Sequence, residues 1–523
     1  MVNKTPIPSS PFIKSDSESN FSNIFSVAVL LIITIVTLVL QNRIVGWEPG
    51  YDDVQPKHHG WVSANTLAII SKATPENYFV GYALAFRDNE NQPQYEYFDR
   101  YPIFFSALFN RVLSLADNLA EQLYLAKQVM NLIFLATLVV AFLIMDKLTG
   151  SKPVSLAVVL LAFSNPYLLW YKDMVHFDQP ALFGFLLLIY AITLYKLDGR
   201  KTPVYISTFV AIALGRGYAS FSILFLWLAF EAFLILREKD LTFREKVRSI
   251  VRHPSFFLSV LAVVWGASLL SYNIFAEAQK RDVSILQTSI LRSARYRLSL
   301  NPEFNLENEG VINWRIFAES QVNRIVQWTF PAWGINFGVL GNSLLLGAIF
   351  LAIGLLIWKQ PTEKRIIYLL LVLSGFGWLI PLRNLSAFHD YTAMYYIGIP
   401  LVFFLSAFTF LRPSKRMAYV LALLAGVVYV SAIVQVKAWH EERAGNADRY
   451  TYDFVHILEQ IDGAGKNINM PEQIPYGPFT PGFYLSEHYL SSREMADYVV
   501  TRNKKFPATN LTPNNEIIYL FKK

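Results

Sequence analysis

The sequence predicts a polytopic α-helical membrane protein of about eleven spans with a small extracytoplasmic α/β domain at its C-terminal end. Three observations predict it. Of 523 residues, 54% are hydrophobic and only 16% charged, less charge than a soluble chain of this length carries. Apolar runs near the length needed to cross a bilayer recur through the first 436 residues. The polar links between them alternate, one set rich in Lys and Arg and the other poor in them, which orients a chain in a membrane. The aromatic content of 15% fits rings placed at membrane–water interfaces.

Taken in order, residues 1–23 form a polar, Ser/Pro-rich arm expected to be disordered and cytoplasmic. The run Phe25–Leu40 is followed by Gln41-Asn42-Arg43 and no small-residue cleavage site, so it reads as a retained first span. Spans are expected near 24–40, 124–146, 153–170, 179–196, 203–215, 219–236, 255–272, 338–358, 366–382, 394–411 and 417–436. The stretch Ile103–Leu115 is short and contains Arg111, and reads as a helix lying in the interface. Three longer segments are expected outside: 41–123, 272–331 and the tail 437–523. In the tail, Tyr452–Ile461 has helical periodicity, and Asp497–Thr501 and Glu516–Phe521 read as strands. The domain reading is thus an arm over 1–23, a membrane domain over 24–436 and an α/β cap over 437–523.

Charge sets the orientation. With the N-terminus in the cytoplasm, the inner links hold Lys147 and Lys152; Lys196, Arg200 and Lys201; Arg237, Lys239, Arg244, Lys246, Arg248 and Arg252; Lys359, Lys364 and Arg365; Arg412, Lys415 and Arg416. The short outer links hold only Lys172, Arg216 and Arg383. That bias orients the chain with its tail outside, and the expected location is a plasma (inner) membrane, crossed several times. The bias also accounts for the net charge of +7 without a nucleic-acid partner. The chain has no cysteine, hence no disulfide and no thiolate chemistry. His-Glu-x-x-His, Walker A and dinucleotide fingerprints are absent, so a nucleotide donor is not expected, and neither a metal site nor a cofactor is assigned.

Ionisable groups at the membrane boundary are costly to keep there and mark function. The first outer segment begins Glu48-Pro-Gly-Tyr-Asp-Asp-Val-Gln-Pro-Lys-His-His-Gly-Trp61. Asp52 and Asp53 offer a general base for an acceptor hydroxyl, and His58 and His59 can bind a sugar or phosphate or share the proton. The bland reading is a solvated polar loop. Further along, Asp99-Arg100-Tyr101-Pro102 forms a corner feeding the interfacial helix, or an aromatic belt with an anchoring Arg. The link Trp170–Pro180 packs Lys172, Asp173, His176 and Asp178 between two spans. There Asp173 or Asp178 serves as a second carboxylate for the acceptor or as a ligand for a divalent cation. Gly215-Arg216-Gly217 lets an arginine approach an anion, or simply snorkel. Finally, Arg383 can hold a phosphate through two bonds, with His389 as a second donor and Asp390 orienting one of them.

This arrangement resembles the GT-C superfamily of integral-membrane glycosyltransferases, specifically the branch of dolichyl-phosphate-mannose protein mannosyltransferases and aminoarabinose transferases. The likeness covers roughly residues 24–436 and is architectural: a first span, an acidic outer loop, an interfacial helix entered through a proline, further spans and an outer tail. Asp52 or Asp53 matches the acidic position after the first span, Arg100-Tyr101-Pro102 resembles the family's His-Pro-Pro corner, and Asp173–Asp178 matches a second acidic position. Arg383 and His389 fall where the family holds a lipid phosphate, with Lys172 and Arg216 as further cations. The sequence departs in having His58-His59-Gly-Trp where the family often has Asp-Glu before a Tyr-bearing helix. The resemblance implies transfer of a sugar from a polyprenyl-phosphate donor to an acceptor hydroxyl of a lipid, glycan or protein at the extracytoplasmic face. The competing classes are a transporter or flippase of lipid-linked glycans, which would place polar groups at mid-membrane, and a glycan polymerase or ligase.

Overall fold

A computed structural model of the chain describes residues 16–45, 63, 66–67, 70, 82–87, 93–97, 104–116, 119–214, 219–298, 314–330 and 337–446, with short strands beyond them at 467–469, 489–490, 498–501, 509–510 and 519–522. Each of the expected apolar runs falls on a helix. The helices are α1 (Asp16–Val45), α2 (Phe104–Leu113), α3 (Leu119–Thr149), α4 (Lys152–Phe163), α5 (Pro166–Trp170), α6 (Asp178–Asp198), α7 (Thr202–Ala213), α8 (Ala219–Arg237), α9 (Phe243–Arg252) and α10 (Pro254–Arg281). They continue with α11 (Ser289–Arg297), α12 (Trp314–Thr329), α13 (Gly338–Trp358), α14 (Thr362–Leu379), α15 (Arg383–Phe388), α16 (Gly398–Leu411) and α17 (Lys415–Asn446). Among the described residues, seven helical segments are long and apolar enough to cross a membrane, and Ile24–Val39, Lys152–Phe163 and Thr202–Ala213 are shorter apolar helices.

Local chemistry explains where the structure departs from the expected spans. The run expected as one span over 153–170 breaks into α4 and α5 at Ser164 and Asn165. Pro166 has no N–H and disfavours helical backbone before it. Asn165 takes the cap position, its side chain accepting from the Tyr167 and Leu168 amides, and its amide donates across to Gln327 O at 2.7 Å. The first helix starts at Asp16, inside the arm expected to be disordered. Likewise α10 runs to Arg281, past the expected start of the second outer segment at 272, and that segment holds α11 and α12.

The 103–115 stretch, expected as an interfacial helix, forms the short helix α2: Phe105, Phe109 and Leu113 are buried while Leu108 and Arg111 are exposed. Within the bundle α4 packs on α17 and α3, α6 lies against α3, α7 and α14, and α14 meets α8. Their shared core includes Phe163, Phe185, Trp227 and Tyr429.

The strands make one mixed sheet. Its members are β1 (Tyr82–Arg87), β2 (Pro93–Tyr97), β3 (Asn467–Asn469), β4 (Tyr489–Leu490), β5 (Tyr498–Thr501), β6 (Thr509–Asn510) and β7 (Tyr519–Lys522), in the order β2-β1-β4-β3-β5-β7-β6. The strands β5 and β7 fall on the two stretches expected as strands. The expectation set the first outer segment apart from the tail, whereas β1 pairs in parallel with β4, Phe86 opposite Leu490. A hairpin alone is marginal, and joining the tail's strands gives β1 and β2 a larger sheet. The helix expected at Tyr452–Ile461 lies outside the described residues.

Candidate functional site

The link between α5 and α6 and the segment between α14 and α16 meet at one end of the bundle, where the ionisable groups of the first are buried and Arg383 and His389 of the second are half-buried. Lys172, Asp173, His176 and Asp178 are all at most 5% exposed. The proline-marked start of α6 places Asp178 in the first helical turn, where a carboxylate is favoured by the helix dipole. Its Oδ2 lies 2.6 Å from His176 Nδ1. Its Oδ1 accepts a hydrogen bond from the Tyr395 hydroxyl at 2.9 Å. The imidazole thus has at its Nδ1 the oxygen of a carboxylate that is itself held by a phenol.

Aromatic rings complete the junction. The His176 ring packs edge-on against Tyr391, centroids 5.3 Å apart, and Tyr391 lies 5.3 Å from the His389 ring and 5.9 Å from Tyr171. Helix α2 reaches the same place through Phe105, whose ring contacts Phe177. The first outer segment does so too: the Val175 amide donates to Ser63 Oγ at 3.1 Å, and Ser63, Thr66, Leu67 and Ile70 are buried.

Close backbone packing sets the position of Tyr391–Tyr396. This stretch is a 3₁₀ turn over Asp390–Tyr396 leading into α16. A Cβ on Gly375 would meet the Tyr395 carbonyl, and one on Gly398 would strike the Leu371 carbonyl, so both glycines permit an approach no other residue allows. Tyr396 donates to Gln321 Oε1 at 3.0 Å, and Gln321 donates to Ser386 O at 3.2 Å. Arg324 binds the Ser386 and Ala387 carbonyls at the end of α15. These contacts anchor the short helix whose first residue is Arg383 and whose C-cap is His389. The Arg383 guanidinium, half-buried, stacks over Trp314 at 4.6 Å from the ring centroid.

Lys172 points to a different wall. Its Nζ donates to Asn131 Oδ1 at 3.0 Å on α3. Burial holds its pKa down to about 8; the charge of Asp173 pulls upward and that of Lys127 pushes further down. Lys127 is itself 1% exposed. Two buried amines and a carboxylate therefore share this corner, a setting suited to an anion.

The structure thus joins the acidic link to the Arg383–His389 segment, with His176, Asp178 and His389 gathered around Tyr391 and Tyr395. Asp52, Asp53, His58 and His59, the Asp99-Arg100-Tyr101 corner and Arg216 lie outside the described residues. Among the described residues no group of three or more His, Asp or Glu is placed to hold a metal ion. Sequence reading missed Lys127, Gln321, Arg324, Tyr391 and Tyr395. Lys127 carried the one available signal, a lysine with an asparagine one turn on at the start of an apolar span.

Two solved structures share this architecture. ArnT from Cupriavidus metallidurans, bound to undecaprenyl phosphate, matches with a TM-score of 0.56 at 10% identity, over 96% of this chain and 98% of its own. The oligosaccharyltransferase of Archaeoglobus fulgidus, tethered to an acceptor peptide, matches with a TM-score of 0.50 at 11% identity, over 92% of this chain. This chain spans 65% of that larger enzyme. At such identities the likeness is one of fold: the chain is a multi-pass membrane protein that shares the fold of these two structures. No family model matches the sequence, and no curated protein sequence matches it.

Proposed function

We propose that this protein is a glycosyltransferase that moves a sugar from a polyprenyl-phosphate donor to an acceptor hydroxyl at the extracytoplasmic membrane face, with its N-terminus in the cytoplasm. The observation that carries the reading is the meeting of the His176–Asp178 pair with the Arg383–His389 segment at one end of a GT-C bundle. There the buried His176–Asp178 pair and the His389 ring both pack on Tyr391, and Arg383 starts the short helix that His389 caps. The bound undecaprenyl phosphate of the ArnT neighbour supports a polyprenyl-phosphate donor.

In this reading Asp52 or Asp53 takes the proton of the acceptor hydroxyl as its oxygen attacks the anomeric carbon. The bond from that carbon to the phosphate oxygen breaks, and polyprenyl phosphate leaves with the electron pair. Arg383, assisted by His389 and by the buried amines of Lys172 and Lys127, stabilises the charge that grows on the leaving phosphate. His58 and His59 bind the sugar or phosphate or share the proton, the Asp99–Tyr101 corner is a further ligand-binding candidate, and Arg216 a further cation. Asp178 and Tyr395 fix the His176 ring for contact with the sugar or phosphate.

The test is direct. Purified protein is incubated with a polyprenyl-phosphate sugar and an acceptor glycolipid or peptide, and released polyprenyl phosphate and glycosylated product are measured together. Equal amounts of both establish transfer. Movement of intact donor across a vesicle membrane without release would make the protein a flippase.

A further inference from the structure

The opposite end of the bundle carries a helix that the proposed transfer does not use. The helix α9 lies between α8 and α10, two helices long and apolar enough to cross a membrane. A short link precedes α9 and His253 alone separates it from α10, so connectivity holds it at the membrane boundary. Its sequence, Phe-Arg-Glu-Lys-Val-Arg-Ser-Ile-Val-Arg, sets Phe243, Val247 and Val251 at every fourth position. That spacing makes one stripe on a helix, and these side chains are 77%, 43% and 49% exposed. Arg244, Arg248 and Arg252 form a second stripe one residue on, about 100° around the axis, and all three are exposed.

The rotation of α9 is fixed from its inner side. Lys246 Nζ donates to the Leu236 carbonyl at 2.8 Å, closing α9 onto the end of α8. Thr242 and Glu245 cap the start reciprocally. At the other end His253 accepts from the Ser255 amide and meets the Tyr195 hydroxyl at 3.3 Å. Glu231, paired with Lys196 at 2.7 Å, lies 3.8 Å from the same imidazole. Both stripes therefore face away from the protein. Of the acidic neighbours, Glu245 is taken by Thr242, and Glu238 and Asp240 belong to the link before the helix.

We propose that α9 is a docking surface for anionic phospholipids of the leaflet at this end, the one the cation distribution assigns to the cytoplasm. Phe243, Val247 and Val251 enter the boundary between headgroups and acyl chains. Arg244, Arg248 and Arg252 lie at headgroup depth and bind phosphodiester oxygens, their stems crossing the apolar layer. An apolar stripe alone would suit any greasy surface. The arginine stripe beside it selects an anionic one, and the flanking spans bring that surface to it.

The absence of cysteine makes the test clean. Full-length Val247→Cys protein, carrying a nitroxide at that position, is placed in nanodiscs of phosphatidylcholine with or without phosphatidylglycerol. In the anionic discs the probe is expected to be shielded from an aqueous nickel chelate and accessible to oxygen. Lipids retained by the protein are counted by native mass spectrometry. The unlabelled protein is expected to prefer phosphatidylglycerol, and the Arg244→Gln/Arg248→Gln/Arg252→Gln variant to lose about fivefold in preference per arginine removed. The triple Arg→Lys variant keeps the charge and most of the preference, and stands in should the Gln variant not fold. A water-accessible probe in anionic discs overturns the proposal. So does equal retention of both lipids, or shielding that appears only as protein concentration rises, which would mean a second copy covers the stripe.

Discussion

The Tyr395 hydroxyl donates to Asp178 Oδ1 at 2.9 Å, joining the start of α6 to the turn before α16 across 217 residues of sequence. Both side chains are fully buried. The other Asp178 oxygen meets His176, so this one bond reaches the imidazole through a single carboxylate. Tyr395→Phe leaves a buried acceptor without that donor, at a cost of about 1–3 kcal/mol in stability. A lower melting temperature and reduced turnover are expected together. Asp178→Asn is expected to lower turnover further, by about 10²-fold or more. Unchanged turnover in Asp178→Asn would remove the pair from the mechanism.

Asp52→Asn and Asp53→Asn, made singly, separate the two candidates for the base. One of them is expected to lose about 10²–10⁴-fold in turnover with expression intact. Steady-state assays of donor consumption show which. Parental rates in both would move the base to Asp173 or Asp178.

Arg383→Lys keeps a positive charge but loses the flat group that stacks over Trp314 and can hold two phosphate oxygens. Donor binding is expected to weaken in the Lys variant and more in Arg383→Ala, with acceptor affinity unchanged. Titration of the purified variants with a polyprenyl phosphate measures this. An anchoring arginine would instead be replaced by Lys without loss.

Lys172 makes stability depend on pH in a defined direction. Its folded pKa is lowered to about 8 from 10.5. Between those values the unfolded chain binds more protons than the folded one, so the contribution of this residue to stability rises with pH across that window. Below about pH 8 both states are protonated and the full cost of burying the charge is present. Lys172→Met is expected to lack that rise. Thermal unfolding of both proteins from pH 7 to about 10 reads the difference. The same proton matters for an anion: binding of a polyprenyl phosphate to the parent protein is expected to weaken as pH climbs through about 8.

Gly398→Ala places a methyl group against the Leu371 carbonyl, in backbone that cannot yield as a side chain would. Overpacking of this kind costs about 1–3 kcal/mol. Because Gly398 closes the turn that carries Tyr391 and Tyr395, activity is expected to fall along with the melting temperature. Gly347→Ala, where a Cβ meets nothing nearby, serves as the control and is expected to be silent in both.

The membrane class, the helical runs and the orienting bias of charge are legible along the chain because each depends on local composition: a bilayer rewards about 20 apolar residues in a row whatever lies beside them. The link from Lys172 to Asp178 was legible as well, since four ionisable groups between two spans are costly enough to mark themselves. Their partners were not. Tyr391 and Tyr395 look like ordinary aromatic residues at the head of an apolar run, and Gln321 and Arg324 like the polar face of a loop helix. What assigns them is contact between segments far apart in sequence, set by how closely α14 lets the turn before α16 approach at Gly375 and Gly398. The break at Asn165 lies between these cases: Pro166 is a local signal that the single expected span over 153–170 ran through, while the bond from Asn165 to Gln327 is tertiary. Sharing of one sheet by the first outer segment and the tail was likewise decided by strand pairing across the length of the chain. Periodicity reports which face of an element seeks burial; only the packed bundle decides against what.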